Sequence, residues 1–121
     1  MNLKRLGQIM GYEVSKKLRY EAIQTATPLG VADCHKLSDQ MVLGTILRAG
    51  IPMHEGLLSI FDNAENAFVS AYRKHHKDGT FEVSLEYISC PDLEGKVLIL
   101  CDPMLATGSS MVKTLNALIS E

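Results

Sequence analysis

The sequence predicts an α/β fold, a largely parallel sheet with helices on both faces. Three observations predict it. Two short apolar runs, Met41–Leu47 and Val97–Cys101, alternate with segments whose apolar residues recur every three or four positions, the pattern of strands alternating with amphipathic helices. A third strand signal, Ala67–Tyr72, precedes an alternating segment, Thr80–Ile88, across an Asp78-Gly79 turn. The second apolar run ends on Asp102 and passes through Thr107-Gly108-Ser109-Ser110 into a new helical pattern, the order strand, turn, helix.

The elements follow in order. Leu3, Leu6, Met10, Val14 and Leu18 recur at spacings of three or four, predicting a helix from Leu3 to about Tyr20, with Glu13 and Lys17 as an i,i+4 pair. Thr27-Pro28-Leu29-Gly30 breaks that pattern and marks a loop. Met41–Leu47 is apolar enough for a buried strand, with Gly44 as its flaw. Arg48-Ala49-Gly50 turns the chain, Gly50 being read as permission for an unusual backbone, and Pro52 opens a helix to about Phe61. Residues 67–88 read as a β-hairpin arm with Lys74–Gly79 as a charged loop and Phe81, Val83, Leu85 and Tyr87 on one face. Val97–Cys101 is the third core strand, and Met111, Val112, Leu115, Leu118 and Ile119 give the last helix its apolar stripe.

Whole-chain properties narrow the function classes. A chain of 121 residues supports one domain, 1–121, with a modest core. The net charge of −2 gives no basic footprint for nucleic acid. No apolar run approaches a membrane span and no signal-peptide pattern opens the chain. Three cysteines, Cys34, Cys90 and Cys101, are an odd number at unrelated spacings, which points to reduced thiols in a cytoplasm. The helical pattern still runs at Ile119-Ser120-Glu121, so the expectation is a truncated form of something longer.

The chemistry concentrates in KVLILCDPMLATGSS, Lys96–Ser110. A helix start built from Gly and small hydroxyl residues presents free N–H groups and a positive dipole end to an anion. Asp102, at a strand end, can hold ribose hydroxyls or a hydrated Mg²⁺ brought by a sugar diphosphate. Thr-Gly-Ser-Ser alone equally fits an ordinary βα turn with a hydroxyl cap. Arg48 could pair with diphosphate oxygens beside Ala49 and Gly50, or simply be a surface arginine at a βα corner. Tyr72-Arg73 reads by itself as a solvated arm. His75-His76 and Cys34-His35 lack ligand spacing, and His54 reads as a helix-surface residue rather than a base.

The whole string resembles the phosphoribosyl-diphosphate (PRPP) loop of type I phosphoribosyltransferases, and Asp-Pro-Met-Leu-Ala-Thr-Gly is similar to its uracil phosphoribosyltransferase version. Pro103 replaces the usual second acidic residue and Ala106 stands where purine-type members carry a carboxylate. Both differences fit the uracil branch, and Pro103 also weighs against a phosphoribosyltransferase-fold regulator of pyrimidine genes. Ser109 replaces a frequent Gly with another small residue. Leu47-Arg48-Ala49-Gly50, followed by Pro52-Met53 and Gly56-Leu57-Leu58, resembles the family's diphosphate loop, and Tyr72-Arg73 resembles its arm motif.

The resemblance implies a fold of the type I phosphoribosyltransferase kind with a protruding hairpin arm and, here, an incomplete core with exposed sheet edges and marginal stability. It implies a reaction of uracil with PRPP to give UMP and diphosphate, in pyrimidine salvage. PRPP enters with Mg²⁺, held through the substrate with Asp102 at hand and no direct protein cage. Arg48, Ala49, Gly50 and Arg73 take the diphosphate; Asp102, Pro103, Met104, Leu105, Ala106, Thr107, Gly108, Ser109 and Ser110 surround the ribose phosphate. Arg48 and Asp102 carry the catalytic roles, by charge and position, with no protein nucleophile. Family members are longer: further strands and a Gly/Pro-containing uracil-recognition segment follow this region. The alternatives are therefore a whole enzyme seen in part, or a fragment that binds PRPP or phosphate without selecting uracil. The full-length form is expected to be at least a homodimer through the 67–88 arm.

Overall fold

The structure, a computed structural model, describes residues 2–120; Met1 and Glu121, the two ends of the expected domain and the last residue of the uncapped helical pattern, lie outside the described residues. Helix α1 spans Asn2–Ser15, shorter than the predicted run to Tyr20. Ser15 explains the early stop: its hydroxyl donates to Tyr12 O at 2.6 Å, and Lys16 and Lys17 N–H groups bond Glu13 and Val14 carbonyls three residues back, tightening the last turn. Glu13 consequently meets Lys16 at 3.2 Å rather than the predicted Lys17.

A hairpin follows, β1 (Tyr20–Thr27) and β2 (Gly30–Leu37), paired antiparallel from Tyr20↔Leu37 to Thr27↔Gly30 as a two-stranded sheet of its own. Only its turn is predicted by the sequence. Nearly every residue of both strands is exposed or half-buried, so neither face shows the period-two alternation that betrays a strand. Gly30 has φ +131°, a conformation for which glycine is the natural choice.

The main sheet contains β3 (Met41–Leu47), β4 (Glu65–His75), β5 (Phe81–Ser89) and β6 (Val97–Cys101), in the order β5-β4-β3-β6. β3 runs parallel to β4 and to β6, while β5 returns antiparallel along β4. Helix α2 (Ile51–Ile60) crosses from β3 to β4, with Pro52 in its first turn as predicted, and α3 (Ser109–Ser120) follows β6. The predicted parallel sheet with flanking helices is present. β6 pairs with β3 on one side and with no described strand on the other, so the expected open edge is there.

One face of the sheet carries Leu43, Ile99 and Cys101, packed against Met53, Leu57 and Phe61 of the α2 segment and against Leu3, Val14 and Leu18. The opposite face carries Val42, Ile46, Ala67 and Val69, all buried, with α3 lying over β4 and β5. Gly44 is no flaw. A Cβ there would come within 3.0 Å of Leu100 and 3.4 Å of Leu98, whose side chains fill the space over it.

Two predicted stripes are corrected. In α1 the buried residues are Gly7 and Gly11, while Leu6 and Met10 are 44% and 45% exposed. A Cβ on Gly7 would overlap Met53 O and one on Gly56 would overlap Lys4 O, so the two helices touch backbone to backbone and the glycines, not the leucines, set the contact line. In α3 the buried residues are Thr114 and Leu118, and Val112 and Ile119 are exposed. The β4–β5 arm also differs in detail. Lys74 and His75 belong to β4, so the loop shrinks to 76–80, and a bulge at Ser70/Ala71, where Glu86 finds no opposite residue, ends the alternation between Val83 and Tyr87. Val83 is buried, whereas Phe81 and Tyr87 are exposed.

Candidate functional site

Parallel pairing brings the two predicted loops together. Thr45 lies level with Cys101, so β3 and β6 end side by side, one feeding Arg48–Gly50 and the other Asp102–Ser110. The carboxyl ends of neighbouring parallel strands are where open α/β sheets hold ligands.

The first loop is fixed by short backbone bonds: Gly50 N–H to Ile46 O at 3.1 Å, Ile51 N–H to Arg48 O at 3.2 Å and His54 N–H to Gly50 O at 2.9 Å. The Leu47–Arg48 peptide bond is cis. Gly50 has φ −75°, an ordinary value, which corrects the expectation of an unusual backbone. Its requirement is space: a Cβ would overlap Thr45 Oγ1 and sit 2.9 Å from Ile46 O and 3.0 Å from Cys101 O. The absence of that one atom lets this loop rest against the end of β6. Arg48 and Ala49 are exposed above it, and Arg48 makes no ion pair among the described residues.

The second loop curls back on itself. Ala106 (φ +49°) and Gly108 (φ +80°) are left-handed, and Gly108 N–H closes on Leu105 O at 2.8 Å. A left-handed L-residue at Ala106, two residues before a glycine that takes this conformation freely, gives the loop the kind of backbone turn from which anion-binding amide nests are built. Thr107 Oγ1 and Ser109 Oγ share a hydrogen at 2.8 Å, and Val112 N–H to Gly108 O at 2.9 Å begins α3. The N–H groups of Ala106, Thr107 and Ser110 have no acceptor among the described residues, at the positive end of a twelve-residue helix. Asp102 is half-buried, and its one described bond is a long one, from Met104 N–H at 3.4 Å, so its carboxylate is available. Met104 and Leu105 project into solvent at 76% and 61% exposure, and Pro103 is half-buried below them.

Arg73 stands apart from these loops. Leu47 is level with Ser70, so Arg73 is three residues further along β4, about 10 Å beyond the end of β3. Its guanidinium lies 4.8 Å over the Phe81 ring on the exposed arm. The structure thus puts Arg48 and Asp102 at adjacent strand ends and does not bring Arg73 to them.

The histidines are redistributed. His54 is 5% exposed, not a surface residue: α2 turns it inward, where Nε2 meets Asn66 Oδ1 at 2.8 Å and the ring tilts against Phe68. The His75 ring lies tilted at 53° to that of Phe81, centroids 6.1 Å apart, and His76 Nε2 is 3.9 Å from Glu82. Among the described residues no three His, Cys, Asp or Glu side chains gather as a metal cage. A single free carboxylate does suit Mg²⁺ that arrives already bound to phosphates, because that ion keeps waters and needs few protein ligands. Burial pushes the Cys101 thiol up to about 11, so it is a packing group rather than a nucleophile. Two concavities lie away from the loops, one of about 270 Å³ among Cys90–Leu93 and Leu118, another of about 420 Å³ between residues 36–41 and 60–65.

Sequence reasoning missed His54 and the Gly7–Gly56 contact. The signal for the second was present, as glycines inside helical patterns call for a packing reason.

The family model described as uracil phosphoribosyltransferase matches residues 1–121. The chain belongs to the uracil phosphoribosyltransferase family. Curated uracil phosphoribosyltransferases of Porphyromonas gingivalis are 52% identical over 120 residues, 99% of this chain and 56% of theirs. That of Methanothermobacter thermautotrophicus is 39% identical over 115 residues, 93% of this chain and 53% of its own. The chain therefore spans about half the length of the curated uracil phosphoribosyltransferases it matches. A solved protein from Aquifex aeolicus superposes with a TM-score of 0.86 at 32% identity, over 98% of this chain and 56% of that one. A hypoxanthine phosphoribosyltransferase from Staphylococcus aureus reaches 0.66 at 16% identity, over 98% and 55%, which shows a shared fold. No helix among the described residues is long and apolar enough to cross a membrane.

Proposed function

We propose that this chain is the PRPP-binding portion of an enzyme that transfers phosphoribose to uracil, giving UMP and diphosphate. The observation that carries the reading is the pairing of two loops on adjacent parallel strand ends: Arg48 and Gly50 on one, Asp102 and the N–H groups of Ala106, Thr107 and Ser110, without an acceptor among the described residues, on the other. A phosphate on the second loop gains the α3 dipole and unpaired N–H donors. Asp102 accepts hydrogen bonds from ribose hydroxyls at the same end. Arg48, exposed and unpaired, faces a diphosphate without first giving up a partner, and Arg73 adds a second cation from the arm.

In the reaction the bond from ribose C1 to the diphosphate oxygen breaks, the bond from C1 to uracil N1 forms, and the N1 proton leaves to water. The chain's part is positional and electrostatic. Its amides fix the 5′-phosphate, Asp102 orients the ring, and the arginines stabilise charge growing on the departing diphosphate. Mg²⁺ brought with the substrate would supply further neutralisation of that charge, with Asp102 the carboxylate that would stand beside it. Uracil selection belongs to the whole protein.

Calorimetric titration of the chain with PRPP and Mg²⁺ tests the reading, with Arg48→Ala and Asp102→Asn beside it. Saturable binding that both substitutions weaken supports it. A folded chain that takes up no PRPP would refute an autonomous PRPP site.

A further inference from the structure

His54 has the marks of a group retained for one bond. Three links converge on it. Its backbone N–H closes the first turn of α2 on Gly50 O at 2.9 Å. Its Nε2 meets Asn66 Oδ1 of β4 at 2.8 Å. Its ring lies 5.3 Å from that of Phe68, and Phe68 is the β4 neighbour of Thr45, whose hydroxyl sits directly under Gly50. The first turn of α2, which follows the Arg48–Gly50 loop, is thereby tied to β4 through the His54 side chain.

The alternative, that imidazole is here for packing, fits less well. His54 is buried and its Nδ1 has no hydrogen-bond partner among the described residues. Leaving a buried polar atom unpaired is unfavourable, and leucine would fill a similar volume without it. What the imidazole gains over leucine is the bond to Asn66, and that bond fixes the first turn of α2, one turn beyond Arg48.

We propose that His54 is a positioning residue for the Arg48–Gly50 loop: through Asn66 it anchors the first turn of α2 and so holds the loop in the shape that receives a diphosphate. The second half of the statement rests on the function proposed above; the first does not.

The test is amide hydrogen exchange of the free chain, residue by residue, in His54→Leu, His54→Gln and Asn66→Ala. Asn66 is itself exposed, so its truncation removes the anchor without a core cavity. Loss of this part-buried hydrogen bond is expected to speed exchange at Gly50 and Ile51 about tenfold relative to the β3 amides. His54→Gln, which can still reach Asn66 with an amide, should recover much of the protection. Titration with inorganic diphosphate then reads the consequence, an affinity loss of similar size in His54→Leu and Asn66→Ala. Unchanged exchange at Gly50 and Ile51, or equal acceleration of all amides, overturns the anchor. Faster loop exchange with undiminished diphosphate binding overturns its role in the site. Should the unmodified chain bind no diphosphate at all, the earlier functional reading fails, while the exchange data still decide the anchor.

Discussion

The two arginines of the candidate site sit in opposite surroundings. Arg48 rises from a loop whose floor is wholly buried: Thr45, Ile46, Gly50, His54 and Cys101 are each between 0% and 6% exposed or lack room for a single added atom. Arg73 extends from an arm on which every residue from Tyr72 to Glu82 is exposed, and its local contact is a face of Phe81. The difference is one of preorganisation. A group held before the ligand arrives loses little entropy on binding, whereas a long side chain on an open hairpin gives up rotamer freedom at that moment. The Arg48 loop should act as a fixed receptor for diphosphate and the Arg73 arm as a mobile supplement.

The largest expected effect breaks the fixed half. Gly50→Ala places a methyl into Thr45 Oγ1 and the carbonyls of Ile46 and Cys101. Overpacking of this kind costs about 3 kcal/mol, since the Thr45 side chain it meets is β-branched and fully buried and the two carbonyls are backbone, so nothing gives way freely. For a domain of this size that lowers Tm by about 10 °C or more. A melt indistinguishable from the parent's would show that the loop is not seated as described.

Next come the arginines. Removing a charge-assisted, preorganised contact should weaken PRPP binding about a hundredfold in Arg48→Ala, close to 3 kcal/mol. Arg73→Ala should lose about tenfold, and its loss should shrink as salt rises, because an exposed cation is screened. Calorimetry at low and high ionic strength measures both. Equal losses with equal salt dependence would dissolve the distinction between fixed and mobile halves.

The same contrast governs what the sequence reveals. β3 and β6 are legible to the residue because their place inside the sheet, fully buried for β3 and mostly half-buried for β6, calls for near-continuous apolar runs, and the end of such a run is also where the candidate site residues lie. The apolar pattern alone therefore puts Arg48 and Asp102 at strand ends and the Thr107–Ser110 turn at the start of a helix, where the fold also has them. The β1–β2 hairpin leaves no trace beyond its turn, for with both faces exposed there is no alternation to find. Helix α1 misleads for another reason. Its apolar residues are real, but the backbone contact at Gly7 and Gly56 sets its rotation, and a pattern of side chains is silent about where side chains are absent. His54 is misplaced by the sequence because α2 is apolar almost all round, so the pattern does not say which face turns inward.

The smallest effect concerns the link between the first hairpin and the body. Asp39, just after β2, accepts a bond from the Arg19 backbone N–H at 2.8 Å and meets the Arg19 guanidinium at 2.8 to 3.0 Å. The backbone bond, then the guanidinium, hold its carboxyl below the ordinary range, against the opposing pull of desolvation. A lowered folded pKa means that the unfolded chain binds the proton more readily. The contribution is thus fully present above the ordinary carboxylate value of about 3.9 and is lost as pH falls through the lower folded value. Asp39→Asn removes the titration: its melting temperature should fall modestly at neutral pH and converge on the parent's as pH falls through the lowered folded value. Because the bond spans the two ends of the hairpin, protease sensitivity at residues 20–37 should rise with the same pH dependence. A neutral-pH melt and cleavage pattern equal to the parent's would mean that the hairpin is held by its own ladder alone.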